Sequence, residues 1–231
     1  MRKLCISAVI VGFTVGILSA CSAPETEQER LARAKVALEA GDVSAATVDI
    51  KSALQQNPDN PAARLMLGEV YMRQREPAAA VNEFRRAVEN EGGLESHVRY
   101  AQARVETGDT GSLLAAQTGE RPPGSEQARY QAAVSRAYSL EGEFESARDA
   151  VRRALEIDKD DPYVQASEAL VLLREGAGTF DAAEILARVT AAHPDNEEAW
   201  SLRGDVARIE QDFASAAKWY AKAAELNPYR L

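Results

Sequence analysis

The chain has 231 residues and a formal net charge of −9, from 27 Lys and Arg against 36 Asp and Glu. That balance argues against general binding of nucleic acid or an anionic membrane by bulk charge. Its only histidines, His97 and His193, are nearly a hundred residues apart and its only cysteines, Cys5 and Cys21, sit near the N-terminus, so a zinc site of clustered His and Cys is excluded.

The first element is a leader. Arg2 and Lys3 precede an uncharged apolar run from Leu4 to Leu18, too short and too glycine-bearing (Gly12, Gly16) for a membrane span of about 20 residues. It reads as a secretory signal over residues 1–20. The run ends in Leu18-Ser19-Ala20-Cys21, which resembles the lipobox of bacterial lipoproteins. That resemblance implies a diacylglyceryl group on Cys21, a lipidated tether over 21–26, and, because Ser22 rather than Asp follows, the periplasmic face of the outer membrane. The alternative is an ordinary signal peptide or a membrane anchor with an incidental cysteine. Cleavage would remove Arg2, Lys3 and Cys5, leaving a charge of −11 and no free thiol for a disulfide, metal site or redox pair.

From Glu27 onward the chain repeats with a 34-residue period. Gly68, Tyr71, Ala80, Phe84 and Ala87 recur as Gly204, Ala207, Ala216, Tyr220 and Ala223. A fixed period of this length predicts stacked helix–turn–helix units. Units one, two, four, five and six run over 27–60, 61–94, 128–161, 162–196 and 197–230, unit five with one extra residue near Gly176-Ala177-Gly178. Small residues such as Gly68 and Ala80 let two helix axes approach to about 8–10 Å. The same register sets Ala79 on the solvent side. Gly41, Gly142 and Gln211 fall at the turn within a unit, where a left-handed conformation is needed. Asn57-Pro58-Asp59-Asn60-Pro61 ends one helix and starts the next.

The third unit departs from the pattern. Val98, Ala101 and Val105 mark a first helix after Glu95, but the second has only Ser112 to Gln117 before Thr118-Gly119-Glu120-Arg121-Pro122-Pro123-Gly124, which cannot continue it. A Pro/Gly loop over 118–127 therefore divides the repeats into 27–117 and 128–231. This is either a decayed repeat with a longer loop, or a hinge or docking loop where coupling between units is weak.

These offsets resemble the tetratricopeptide repeat (TPR). The resemblance implies an all-α, right-handed superhelical solenoid of about six units, the third degenerate, with an inner groove lined by the first helices. Carried onto this chain, the family's groove positions include Lys35, Arg73, Arg99, Arg129, Arg136, Arg174 and Arg208, together with Glu39, Glu69, Glu106, Glu198 and Asp205. Such a groove, with an excess of two positive charges, either clamps the carboxylates of an extended acidic peptide or forms a mixed solvated face. No catalytic pattern stands beside it. Asp158, Asp160 and Asp161 lack the regular ligands of a calcium loop, and there is neither a Gly-rich phosphate loop nor a supported Ser/His/Asp set. No enzyme activity, cofactor or metal is expected.

A lipobox followed by Ala34-Lys35-Val36-Ala37-Leu38-Glu39-Ala40-Gly41-Asp42 and by Ile50 to Asn60 is similar to the N-terminal part of TPR lipoproteins of exosortase (PEP-CTERM) systems. That resemblance implies a non-enzymatic, lipid-anchored scaffold of the cell envelope, in exopolysaccharide export or protein sorting. Its partners would be other envelope proteins or peptides and, through the lipid, the membrane; nucleic acid is not among them. The alternative is an accessory lipoprotein for outer-membrane protein insertion or for pilus and secretin assembly. Mass spectrometry of the membrane fraction should find Cys21 acylated at the mature N-terminus and residues 1–20 absent. An unmodified mature chain in the soluble periplasm would refute this.

Overall fold

A computed structural model describes residues 25–115, 125–176 and 178–226. The segment 1–20 read as a leader, Cys21, most of the 118–127 loop and the last five residues lie outside the described set. Among the described residues there are twelve helices and no strands, and no helix is long and apolar enough to cross a membrane. They pair in sequence: α1 (Glu27–Glu39) with α2 (Val43–Gln56), α3 (Pro61–Arg73) with α4 (Pro77–Glu89), and α5 (Gly93–Thr107) with α6 (Thr110–Ala115). The second half continues with α7 (Ser125–Glu141) and α8 (Phe144–Ile157), α9 (Pro162–Glu175) and α10 (Thr179–Ala192), and α11 (Glu197–Ile209) and α12 (Phe213–Leu226).

Local chemistry sets the helix ends. Thr26 and Glu29 form a capping box at α1, the Thr26 hydroxyl accepting from Glu29 N at 3.3 Å while Thr26 N donates to the Glu29 carboxylate at 2.8 Å. First helices start behind Asn60, Asp161 and Asn196, whose side chains accept from Ala63 N, Tyr163 N and Val164 N, and Ala199 N. Within units the chain turns through a left-handed residue, Gly41 and Gly142 at φ +77° and +80°. The same position is held by Arg75 and Gln211 at φ 60° and 62°, so the register outweighs the residue's own preference.

Packing follows the small-residue pattern. Gly68 lies against the Phe84 ring and Gly204 against the Tyr220 ring, so closely that an added methyl would overlap either ring. Around each crossing the core is apolar and rich in alanine, with Ala80, Ala87, Ala216 and Ala223 buried. The core is a chain of clusters, most of which bridge two units. Ile50 and Val70 join the first two, Phe84 and Ala103 the second and third, Val164 and Ala132 the fourth and fifth, and Leu186 and Val206 the last two. First helices also pack side by side, α3 on α5, α5 on α7, α7 on α9 and α9 on α11. The main contacts of the second helices are with first helices, so the array curves with the first helices on its inner face.

The third unit corrects two expectations. Its first helix starts at Gly93, before Glu95, and α7 starts at Ser125, so residues 125–127 are helix rather than loop. Coupling is not weak there either. Val98, Ala101 and Leu113 share one apolar cluster with Tyr130, Ala133, Val134 and Ala137 across the unit boundary. The inner helices α5 and α7 carry this unit-to-unit contact.

Ala80 is fully buried, Ala79 is half-buried and Ala78 is exposed. Ala80→Leu should therefore cost about 1–3 kcal/mol by overpacking, whereas Ala78→Leu should leave the thermal midpoint nearly unchanged. Equal shifts for the two variants would show that the helix faces are wrongly assigned.

Candidate functional site

The inner face opens into a cleft of about 330 Å³ that no single unit could form. Helix α3 contributes Glu69, Met72 and Arg73; α5 contributes Arg99, Gln102, Val105 and Glu106. Arg136 of α7, Tyr163 of α9 and Glu198 of α11 complete it, with Phe84 of α4 behind. Six of the charged groove positions read from the sequence meet here: Arg73, Arg99 and Arg136 with Glu69, Glu106 and Glu198. The cleft is thus formally neutral. The excess of two positive charges belongs to the twelve positions together, and the array does not bring the twelve to one place.

Most of the cationic positions are engaged within the protein. Arg73 donates through Nη1 to the carbonyl of Leu38 at 2.7 Å, an oxygen near the C-terminal end of α1 that also accepts from Gly41 N at 3.1 Å. Arg99 lies 3.3 Å from Glu69 and 3.9 Å from Glu95. Arg129, outside the cleft, donates through Nε to the buried Asp161 carboxylate at 2.7 Å and so ties the fourth unit to the fifth. Arg208 pairs with Asp205 at 3.5 Å, and the Tyr220 hydroxyl donates to the same carboxylate at 2.8 Å. Lys35 and Arg174 are exposed, outside the cleft and without an ion-pair partner among the described residues.

Arg136 is the most constrained of them. Only 7% exposed, it donates through Nε to the Ser167 hydroxyl at 2.6 Å and through Nη1 to the Glu198 carboxylate. Its guanidinium lies 4.2 Å from the centre of the Tyr163 ring, which adds a cation–π attraction. Desolvation is the largest influence on Arg136 and opposes its charge, but Glu198, Tyr163 and Glu106 outweigh it and hold its pKa above the ordinary value. Burial, reinforced by the charges of Glu198 and Glu106, raises the Tyr163 phenol to about 12, against the opposing pull of Arg136 and a hydrogen bond with Gln102. Tyr163 and Met72 were missed as cleft residues because only charged side chains were carried onto the groove positions. Both stand on groove positions: Tyr163 is the second residue of its unit, as Arg129 is of its own, and Met72 is the twelfth, as Arg208 is.

Geometry and topology together define a helical-repeat solenoid with a polar inner cleft. The chain belongs to the tetratricopeptide repeat family, whose models match residues 37–109, 128–161 and 167–230. A sequence search among curated proteins finds no match. Among solved structures it is similar to PilF of Pseudomonas aeruginosa, with a TM-score of 0.57 and 19% identity over 87% of this chain and 92% of that one. It is similar also to PilW, described as a widely conserved type IV pilus biogenesis factor, with a TM-score of 0.57 and 18% identity over 90% and 96% of the two chains. A tetratricopeptide repeat protein of Parabacteroides merdae matches with a TM-score of 0.53 and 17% identity over 87% and 79%. At these identities the likeness is one of fold.

The phenol of Tyr163 gives a pH prediction. Its folded pKa is raised from 10.0 to about 12, so its stabilising contribution is complete below pH 10 and is lost as pH rises through about 12. Absorbance titration of the folded protein should show one tyrosine ionising near pH 12, and Tyr163→Phe should remove that step. A Tyr163→Phe titration superimposable on the wild type would contradict the assignment.

Proposed function

We propose that this protein is a non-enzymatic scaffold of the bacterial cell envelope, held by lipid on Cys21 at the periplasmic face of the outer membrane, which grips an extended segment of its partners in the inner cleft. The observation that carries this reading is the make-up of the cleft, to which the first helices of five successive units contribute. A cleft spread over that many units suits an elongated chain segment better than a compact metabolite. The lipobox at Leu18 to Cys21 supports the anchor. Among the described residues no cluster of His, Cys, Asp and Glu could hold a metal ion.

Two envelope pathways fit such a scaffold. Exopolysaccharide export or protein sorting rests on the resemblance of residues 34–60, after a lipobox, to exosortase-linked lipoproteins. Pilus assembly is favoured by a different observation, the shared fold and nearly full mutual coverage with PilW. A photo-reactive residue placed at Glu106 in the cleft, and separately at the exposed Glu184 on α10, separates the pathways in the native host. Adducts to an envelope protein should form from position 106 and not from 184. Pilus or secretin subunits in those adducts would select the second pathway, polysaccharide-export or sorting proteins the first. Identical adducts from both positions, or none from 106, would defeat the scaffold reading.

A further inference from the structure

Arg136 carries one group that the fold leaves unused. Its Nε and Nη1 are committed to Ser167 and Glu198, but its buried Nη2 has no acceptor among the described residues. A buried donor without an acceptor is unfavourable, and its cost is relieved when a ligand brings one. The residue lines the cleft and is more than nine-tenths buried, so its guanidinium belongs to a built site rather than to a solvated surface.

We propose that Arg136 sets ligand choice in the cleft, donating to the neutral carboxamide oxygen of an Asn or Gln side chain of an extended peptide in preference to a carboxylate. The proposal rests on the reading of the cleft as a peptide groove. Charge decides between the two acceptors. Glu198 already neutralises Arg136, and Glu106 lies close enough to act on it. A ligand carboxylate brought to the guanidinium would meet the field of both glutamates in a partly desolvated site, where like charges interact strongly. Of the other two cations in the cleft, Arg99 is shared by Glu69 and Glu95, and Arg73 keeps its charge but is exposed and has its Nη1 engaged by the Leu38 carbonyl. A carbonyl oxygen supplies the missing acceptor without adding charge. Gln102, which lines the cleft with Tyr163 and is itself both donor and acceptor, gives an amide ligand a second point of contact. Met72 and Val105 offer apolar wall to the rest of the peptide.

The probe is a phage-displayed library of random linear peptides, selected on the purified full chain. Recovered peptides are then measured by fluorescence anisotropy beside counterparts with Asn→Asp or Gln→Glu replacements. Neutral carboxamide-bearing peptides should dominate, and their acidic counterparts should bind about tenfold more weakly or worse. Arg136→Lys, which keeps the charge facing Glu198 but loses the planar fork, should weaken the neutral peptides by about tenfold. If that variant does not fold by circular dichroism, Glu106→Gln decides the matter, since Glu106 is exposed and its replacement should shrink the penalty on acidic peptides. Selection of acidic peptides, or discrimination untouched by both variants, would overturn the role of Arg136 while leaving the groove as a peptide site. Recovery of no peptide at all would instead remove the groove reading, and the inference with it.

Discussion

The approach of two helices inside a unit is the constraint on which everything else rests. At Gly68 and Gly204 the missing side chain is filled by an aromatic ring from the partner helix, Phe84 or Tyr220. With the axes that close, the side chains between them must be small, and the buried set is accordingly dominated by alanine. An alanine-rich interface buries little area per residue, so no unit is well supported by its own pair of helices. Larger residues such as Ile50, Val70, Leu186 and Val206 are placed at the joints between units, and there the array obtains its cohesion.

The cleft follows from the same curvature. Because first helices pack on first helices, side chains 31 and 62 residues apart in sequence, Ser167 and Glu198, both reach Arg136. A buried arginine held on two sides and stacked on a tyrosine is a fixed feature rather than a mobile clamp. That arrangement trades electrostatic reach for geometry. A groove of free lysines would attract any acidic chain at low salt, whereas this one offers matched charges and a few oriented donors.

Much of the architecture was legible in the sequence because it is local and periodic. The paired helices, the turn at Gln211 and the boundary at Asn60-Pro61 all follow from a 34-residue register combined with capping and turn chemistry. The third unit was only half legible. The prolines and glycines after residue 117 lie outside the described residues, and they say nothing of the inner helix, whose Val98 and Ala101 keep the stack continuous with Tyr130 and Val134. The cleft was legible as a set of positions and illegible as a charge distribution. Whether Arg129 faces a ligand or the Asp161 carboxylate depends on distances across a unit boundary, and no spacing in one sequence reports those.

The residues at the unit boundaries have a consequence for how such a chain can arise. Asp161 caps α9 with one carboxylate oxygen and holds Arg129 of the preceding first helix with the other. Asn60 does the same with a carboxamide, capping α3 through its oxygen while its amide nitrogen donates to Glu27 at the start of α1. One side chain therefore both starts a helix and fastens it to the unit before. A duplicated or transplanted cassette that begins at such a residue brings its own latch, and needs from its new neighbour only one matching group in the opening turn. Gene duplication can then lengthen the array without redesigning the joint, and the pairing at each latch, acid with arginine or amide with glutamate, records which cassettes were copied from which.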